Sequence, residues 1–452
     1  MTRKCVGASG LILLALTLLS WPCRAAAQGQ QQQGQQQQSQ QQQSQQPSYT
    51  IPEYNAFQAA RAEKDLQARL KLLDDFVQKF PNSTLMPYID QLYVDTYSQL
   101  KNYPKVIEYA DKLIALGDKV QLDARISADY IRSTAFEFAF NPKDPNAKDQ
   151  LQRTRDAADL GLKLLAQWQK PQTLTDEQYA QQKKLAAAAF NNAGGFAALQ
   201  QKDYKAASGY YRASLAVTGP DPVTYYRLGV ALLLESPPES MDGFWALARA
   251  VALKGPAEAQ ARTYLRKQLL AYQQPGCDNL IDAQMNELVQ LATSSADRPA
   301  TYNIPSSADL DKVRQSSNIL SVIADLKAGG DKAKVTWLSV CGSEFPEVVG
   351  KVIDVAPAGD DVVLNVYTGA TSEEMEAATT PNMNVKVVGQ PDASRLQKDD
   401  GVRFSGTLAT YDPEPFMLHW DKCKVNPEDI PAQKAEPGKH RPHKVPPKKP
   451  GQ

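Results

Sequence analysis

Histidine is almost missing from this chain, with three in 452 residues. His440 and His443 fall in a proline- and lysine-rich stretch where nothing would orient an imidazole, and His419 stands alone beside Trp420 in what reads as a last strand. That leaves no side chain placed as a general base for a nearby nucleophile. Cysteine is nearly as scarce, at five, and no Cys-x-x-Cys or Cys/His spacing suggests zinc. The glycine loops of phosphate sites, the His-Glu-x-x-His helix and the nucleophile elbow are absent. Gly194-Gly195 sits inside helical text with no strand before it, so it is not a dinucleotide turn. Glu373, Glu374 and Glu376 read as an exposed acidic loop. Asn82-Ser83-Thr84 fits a glycosylation acceptor, a triplet that often arises by chance. The chain is therefore expected not to be an enzyme, and to need neither metal nor cofactor.

Excess charge of either sign is also lacking, since 50 basic residues balance 50 acidic ones. The ends distort that balance. The first 27 residues carry +3 and residues 431–452 carry +5, so zero overall leaves −8 on the body. A body of that sign argues against nucleic acid as a partner. One long apolar run exists, Leu11–Trp21, preceded by the basic Met1–Lys4 and followed by Ala25-Ala26-Ala27. This is the layout of an export signal over 1–27, with an uncleaved anchor as the alternative. Export to a periplasmic or cell-envelope location is expected, and with it an oxidising compartment. Cleavage would leave Cys277, Cys341 and Cys423. An odd number allows at most one internal bridge, and Cys341–Cys423 is the expected pair because both lie in the strand-rich C-terminal region. Three unpaired buried thiols are the alternative.

Residues 28–48 are a glutamine-rich linker with no core-forming content, expected to be disordered. From 49 to 295 apolar residues recur at intervals of three and four, with proline or glycine punctuating every fifteen to twenty residues. Within this helical text one phrase is written twice. Ala207, Tyr211, Ser214 and Gly219-Pro220 match Gly243, Leu247, Ala250 and Gly255-Pro256, each at an offset of 36 residues. Gly194-Gly195 matches Leu228-Gly229 at an offset of 34, the difference falling in the turn Ser236–Ser240. A period in the mid-thirties with two helices per unit marks a helical solenoid, with an ordinary helical bundle as the alternative.

The residues resemble the tetratricopeptide repeat family. Tyr225–Gly229 (YYRLG) is similar to its first-helix core, and Lys202-Asp203-Tyr204 and Lys101-Asn102-Tyr103 to its inter-helix turn. Phe76–Ser83 (FVQKFPNS), with Pro81 sixteen residues after Asp65, resembles the ending of envelope-associated members. The likeness is strongest over 188–256 and fair over 53–117. Residues 120–187 depart from the period and read as one helix pair with an extended loop, and 257–295 as another pair split at Gln274-Pro275-Gly276. The resemblance implies an extended groove lined by the first helix of each pair, which would hold protein partners. Tyr88, Gln91, Asp95, Asn192 and Tyr226 would face it, or would be solvated or packing residues.

Residues 296–334 are expected to connect, with a helix capped by Ser306-Ser307 and ended by Gly329-Gly330. After that the period changes. VTWLSV, VVGKVIDV, DVVLNVY, NVKVVG, GVRFSGTLATY and FMLHWDKCKV are β-rich runs separated by turn residues, with DASRLQKDDG a turn or short helix. Gly350-Lys351-Val352 and Val402–Gly406 resemble an OB-fold family named for its likeness to tRNA anticodon-binding domains. That implies a small barrel over 335–430. OB barrels bind single strands or sugars across one face, and the candidates here are Tyr367, Arg403, Tyr411 and Trp420. Residues 431–452 read as a basic, proline-rich disordered tail, either a tether to an anionic envelope surface or a solubilising end.

The fold class expected is mainly α, a solenoid followed by a small C-terminal barrel. The function expected is an exported, non-enzymatic scaffold for protein partners in envelope assembly or secretion. The alternative is a ligand-binding module whose barrel holds glycan or oligonucleotide.

Overall fold

The computed structural model describes residues 49–359 and 361–432. The expected export signal and linker, and the tail from 433 on, lie outside the described residues. The fold is mainly α, with a small closed barrel toward the C-terminal end. Residue contacts divide the chain at three points rather than one. Everything described up to Leu265 groups with Glu287–Tyr302, and Arg266–Asn286 groups with Asn303 onward.

The first unit is built of helix hairpins. Its helices are α1 (Ile51–Ala62), α2 (Leu66–Lys79), α3 (Met86–Gln99), α4 (Tyr103–Ala115), α5 (Leu122–Ala139), α6 (Ala147–Gln167), α7 (Asp176–Gln200), α8 (Tyr204–Thr218), α9 (Pro222–Leu234) and α10 (Ser240–Ala252). Then α11 (Glu258–Gln273) and α12 (Asn279–Ser294) follow, parted at Gln274-Pro275-Gly276 as expected, and only their outer halves, up to Leu265 and from Glu287, belong to this unit. Each of α1–α10 packs chiefly on its chain neighbours, with further contacts from α3 to α5 and from α5 to α7. Packing that runs from each hairpin to the next in this way is what a solenoid requires.

The repeated turn is conserved down to its backbone. Lys101 and Lys202 both sit in the left-handed region, at φ 55° and 64°. The N–H groups of Asn102 and Asp203, one residue on, each donate to a carbonyl five residues back (Tyr97, 2.9 Å; Ala198, 2.9 Å). This closes the first helix with a Schellman-type bond. The same Asn102 and Asp203 side chains then cap the second helix, accepting from the N–H of Lys105 (3.4 Å) and Ala206 (3.2 Å).

The matched phrase reappears as a matched crossing. Ala207, Tyr211 and Ser214 on α8, and Gly243, Leu247 and Ala250 on α10, are all buried. A Cβ added to Gly195 on α7 would lie 2.7 Å from the Tyr211 ring, and one added to Gly229 on α9 would lie 2.7 Å from Leu247. In both hairpins, then, a glycine of the first helix seats the large residue at the same point of the second. Close packing leaves no room for another methyl group.

The second unit carries α13 (Ser307–Ser316), α14 (Ile319–Ala328) and α15 (Gly330–Val340), then β1 (Glu344–Ala358), β2 (Asp361–Tyr367), α16 (Ser372–Ala377), β3 (Met383–Val387), β4 (Gly401–Pro413) and β5 (Phe416–Val425). The strands close in the order β1-β2-β3-β5-β4. The β3–β5 pair is parallel and the others antiparallel. β1 reaches both neighbours because it is long and shifts register at Phe345/Val348 and Val352/Asp354. Along β2, Val362, Leu364 and Val366 point inward, and their neighbours outward. Val322, Leu326, Trp337 and Val340 from the helices join the same core.

Three local expectations are corrected. Ser306 does cap a helix, with Asp309 completing a capping box, but the helix ends at Ser316 and a new one starts from an Asn318 cap. VTWLSV is the end of α15, not a strand. Its Trp337 and Val340 gain burial against the barrel, and that packing overrides the β preference of its valines. The expected Cys341–Cys423 bridge does not form; the disulfide is Cys277–Cys341, with Cα atoms 5.7 Å apart. Cys423 points into the barrel core from β5, while Cys341 ends α15 where the Gly276 and Gly342 backbones touch. Burial pushes the Cys423 thiol up to about 12, which makes it unreactive.

Gly195→Ala is expected to lower stability by roughly 1 kcal/mol, since overpacking against a rigid ring outweighs the gain in helix propensity. Gly209→Ala, on the open side of α8, is expected to raise it by roughly 0.5–1 kcal/mol; urea unfolding measures both. Peptide mapping without reduction should link Cys277 to Cys341 and leave Cys423 free. Replacing both bridged cysteines by serine should destabilise the chain by about 4 kcal/mol, from the loop of 64 residues that the bridge closes.

Candidate functional site

Tyr88, Gln91 and Asp95 are spaced three and four residues apart on α3, so they form one stripe. The opposite face buries Ile89, Leu92, Tyr93 and Thr96. Tyr88 is 41% exposed, and its ring stands 6.1 Å from that of Phe57 on α1. Asp95 accepts from Arg69 (3.3 Å) on α2 and from Gln99 (3.0 Å). Arg69 is itself oriented by the Glu63 carbonyl at 2.8 Å. Burial raises the Asp95 carboxyl above its ordinary value, and Arg69 pulls it partly back.

The other two groove candidates stand apart from that stripe. Asn192 on α7 meets the Thr224 hydroxyl on α9 at 3.5 Å. Tyr226 is half-buried on α9 against Val251 and Ala261, edge-on to Tyr264 of α11 at 6.3 Å. The five residues thus fall on three helices. Tyr88 is the most open of them, and Tyr226 is mainly an inter-hairpin packing residue.

A group that sequence reasoning missed joins three first helices. Arg227 on α9 pairs with Glu137 on α5, and its guanidinium lies over the Phe196 ring of α7 at 5.7 Å. Glu137 is flanked by Phe136, buried against Phe196, and by Phe138, 60% exposed and stacked on Tyr103 at 5.0 Å. Nearby, the irregular 140–146 loop shapes a half-open pocket of about 380 Å³ lined by Phe140, Pro142, Leu151 and Gln201. The clue was present in YYRLG: Arg227 stands beside Tyr226 in a helix otherwise uncharged. Its partner, however, lies 90 residues away.

On the barrel the four candidates separate. Trp420 is a correction: it is 2% exposed, packed edge-on against Phe345 (5.3 Å) and Phe404 (5.5 Å), and so is core rather than a stacking platform. Tyr411 packs on Trp337 of α15 at 4.8 Å. Tyr367 and Arg403 do share the outer face, opposite Lys351 and Val349 of β1 respectively. Arg403, though, is held by Asp429 (2.8 Å) and Glu428 (3.2 Å) of the turn after β5. Those bonds hold the Asp429 carboxyl below its ordinary range. His419 meets Asp412 at 2.8 Å.

Among the described residues no three His, Cys, Asp or Glu side chains are grouped to hold a metal ion, and no helix is long and apolar enough to cross a membrane. No family model and no curated protein matches the chain.

The pairing of Arg227 with Glu137 generates a test. A double-mutant cycle with Arg227→Met and Glu137→Gln should give a coupling of about 1 kcal/mol, the size expected of a part-exposed pair. Arg227→Met alone should cost more than Glu137→Gln, because it also gives up the ring contact.

Proposed function

We propose that the chain is an exported, non-enzymatic scaffold of the tetratricopeptide repeat kind, with an OB-like barrel appended. The observation that carries this reading is the equivalence of the Gly195–Tyr211 and Gly229–Leu247 crossings at the repeat spacing. Hairpins that cross alike stack alike, and a row of them offers an extended surface lined by first helices. The left-handed lysine turns, each followed by a capping Asn or Asp, support the same assignment. For the barrel, the order β1-β2-β3-β5-β4 with a parallel β3–β5 pair supports the OB likeness.

In this reading partners are protein segments, and binding is docking with no bond made or broken. The exposed Tyr88 on α3, with half-buried Gln91 beside it, and the Phe138–Tyr103 pair supply the contact surface. A periplasmic or envelope setting and a role in assembly or secretion belong to the same proposal. They rest on the leader-like first 27 residues, and the basic 431–452 segment would add attraction to an anionic envelope surface. The rival, a glycan or oligonucleotide held on the barrel, has less behind it. Trp420 is in the core, and Arg403 already has two carboxylate partners.

The test uses residues 28–452 as bait in envelope extract. Tyr88→Ala with Gln91→Ala should reduce the captured partner at least tenfold while circular dichroism and unfolding midpoint stay unchanged. Retention by that variant, with loss in Tyr367→Ala/Arg403→Ala, would move the binding site to the barrel and overturn the scaffold reading.

A further inference from the structure

Asp129 occupies an unusual place for a carboxylate. It is fully buried on α5, and neither oxygen has a hydrogen-bond partner among the described residues. Room for it is made by Gly161 on α6: a Cβ there would lie 2.5 Å from Asp129 Oδ2 and 2.8 Å from the Phe190 ring of α7. The carboxyl is thus enclosed by three helices, with glycine and phenylalanine as its cross-helix neighbours. The cation nearby among the described residues is committed elsewhere. Arg132, a turn along α5 and 2% exposed, pairs with Asp111 of α4 and reaches the Thr154 hydroxyl of α6 at 3.4 Å. The charged groups acting on Asp129 are therefore Arg132 from its own helix and Asp111 from α4, while Gly161 and Phe190 from α6 and α7 carry no charge. One turn further along α5, the Ser133 hydroxyl is likewise buried and without a partner.

A carboxylate stripped of water with no donor is costly to keep charged, and the neutral acid is the form such a site accommodates. We propose that Asp129 is a protonation latch: as the neutral acid it lets α5, α6 and α7 close on one another, and loss of its proton to solvent loosens that contact. Because α5 and α7 also carry Glu137 and Phe196, opening the latch changes the face on which Arg227 lies. The device is independent of what that face binds.

Burial moves the Asp129 carboxyl up to about 7, with Arg132 opposing and Asp111 adding to the rise. Below about pH 4 both folded and unfolded chains hold the proton, and stability from this group is complete. Between about pH 4 and the folded value near 7 the unfolded chain releases the proton and the folded chain keeps it. The folded-to-unfolded ratio then drops by up to about tenfold per pH unit and levels off above that. Asp90 on α3, which burial moves up to about 6, is the group to separate from it.

The experiment compares the full chain with Asp129→Asn and with Asp90→Asn by urea unfolding from pH 5 to 8. Asp129→Asn should flatten the pH slope by about one proton between pH 5 and 7, leaving the chain more stable than wild type at pH 8. Asp90→Asn should leave the part of the slope between pH 6 and 7 in place. In wild type, amide exchange in α5–α7, corrected for intrinsic rates, should speed up between pH 6 and 8, and in Asp129→Asn it should not. Should the amide variant fail to fold, a carbon-13 titration of the side-chain carboxyls decides, with Asp90→Asn and Asp95→Asn removing the other two aspartates that burial raises, since one aspartate must still titrate near neutrality. An unchanged slope in Asp129→Asn, or no such aspartate signal, overturns the proposal.

Discussion

The two matched hairpins, α7/α8 and α9/α10, depend on one contact, the close crossing of two helices at a glycine. At Gly195 and Gly229 the first helix gives up its side chain so that Tyr211 or Leu247 of the second can sit directly on its backbone. A fully buried tyrosine ring displaces a large apolar area, an effect worth a few kcal/mol per residue. Each glycine costs about 1 kcal/mol of helix propensity, so the exchange is favourable only where the ring fits. The same constraint fixes what comes next. Once the crossing point is set, the length of each helix and the left-handed lysine turn between them set where the following hairpin begins. A two-residue insertion is absorbed in the loop before α10 because loop closure depends only weakly on length.

The second unit meets a different constraint. A closed barrel needs strands long and bent enough to share two neighbours, and β1 meets this with two register shifts. Closure removes exposed strand edges, and side chains from α14 and α15 pack into one core with the strands. The disulfide ties the loop between α11 and α12 to the end of α15, just before the first strand. That explains why residues 266–286 group with the barrel rather than with the helices that precede them.

Much of this was legible in the sequence, and the exceptions share a cause. Helix positions, the loop at 140–146, the capping Ser306 and the strand runs from Val348 onward all follow from local period and punctuation. The matched phrases also located the crossing glycines, because a repeat constrains the same residue twice. Local patterning says nothing of partners far along the chain. The Arg227–Glu137 pair spans 90 residues, the disulfide spans 64, and Asp129 is buried by helices whose glycine looks ordinary in text. VTWLSV failed for a related reason. Its valines favour strand locally, but burial of Trp337 and Val340 against strands more than ten residues away decided its form. For the candidate site, the groove residues expected from the repeat register fall on three helices, and Tyr88, Gln91 and Asp95 share α3. Which of them stay open depended on Arg69, from another helix.

The arrangement of polar groups on the first helices bears on how any guest could be held. Asp95 already has Arg69, Asn192 has Thr224, and Arg227 has Glu137. A segment docking there through charge would have to replace those partners, and such an exchange gains little when the groups are already satisfied. The surface without such partners is aromatic: Tyr88, and Phe138 on Tyr103. Rigid rings lose little side-chain entropy on contact and bury large area, which is why they dominate binding energy where they are exposed. Affinity on this face would therefore come from apolar side chains meeting those rings. The polar pairs instead tie one helix to another: Arg69 of α2 to Asp95 of α3, and Arg227 of α9 to Glu137 of α5.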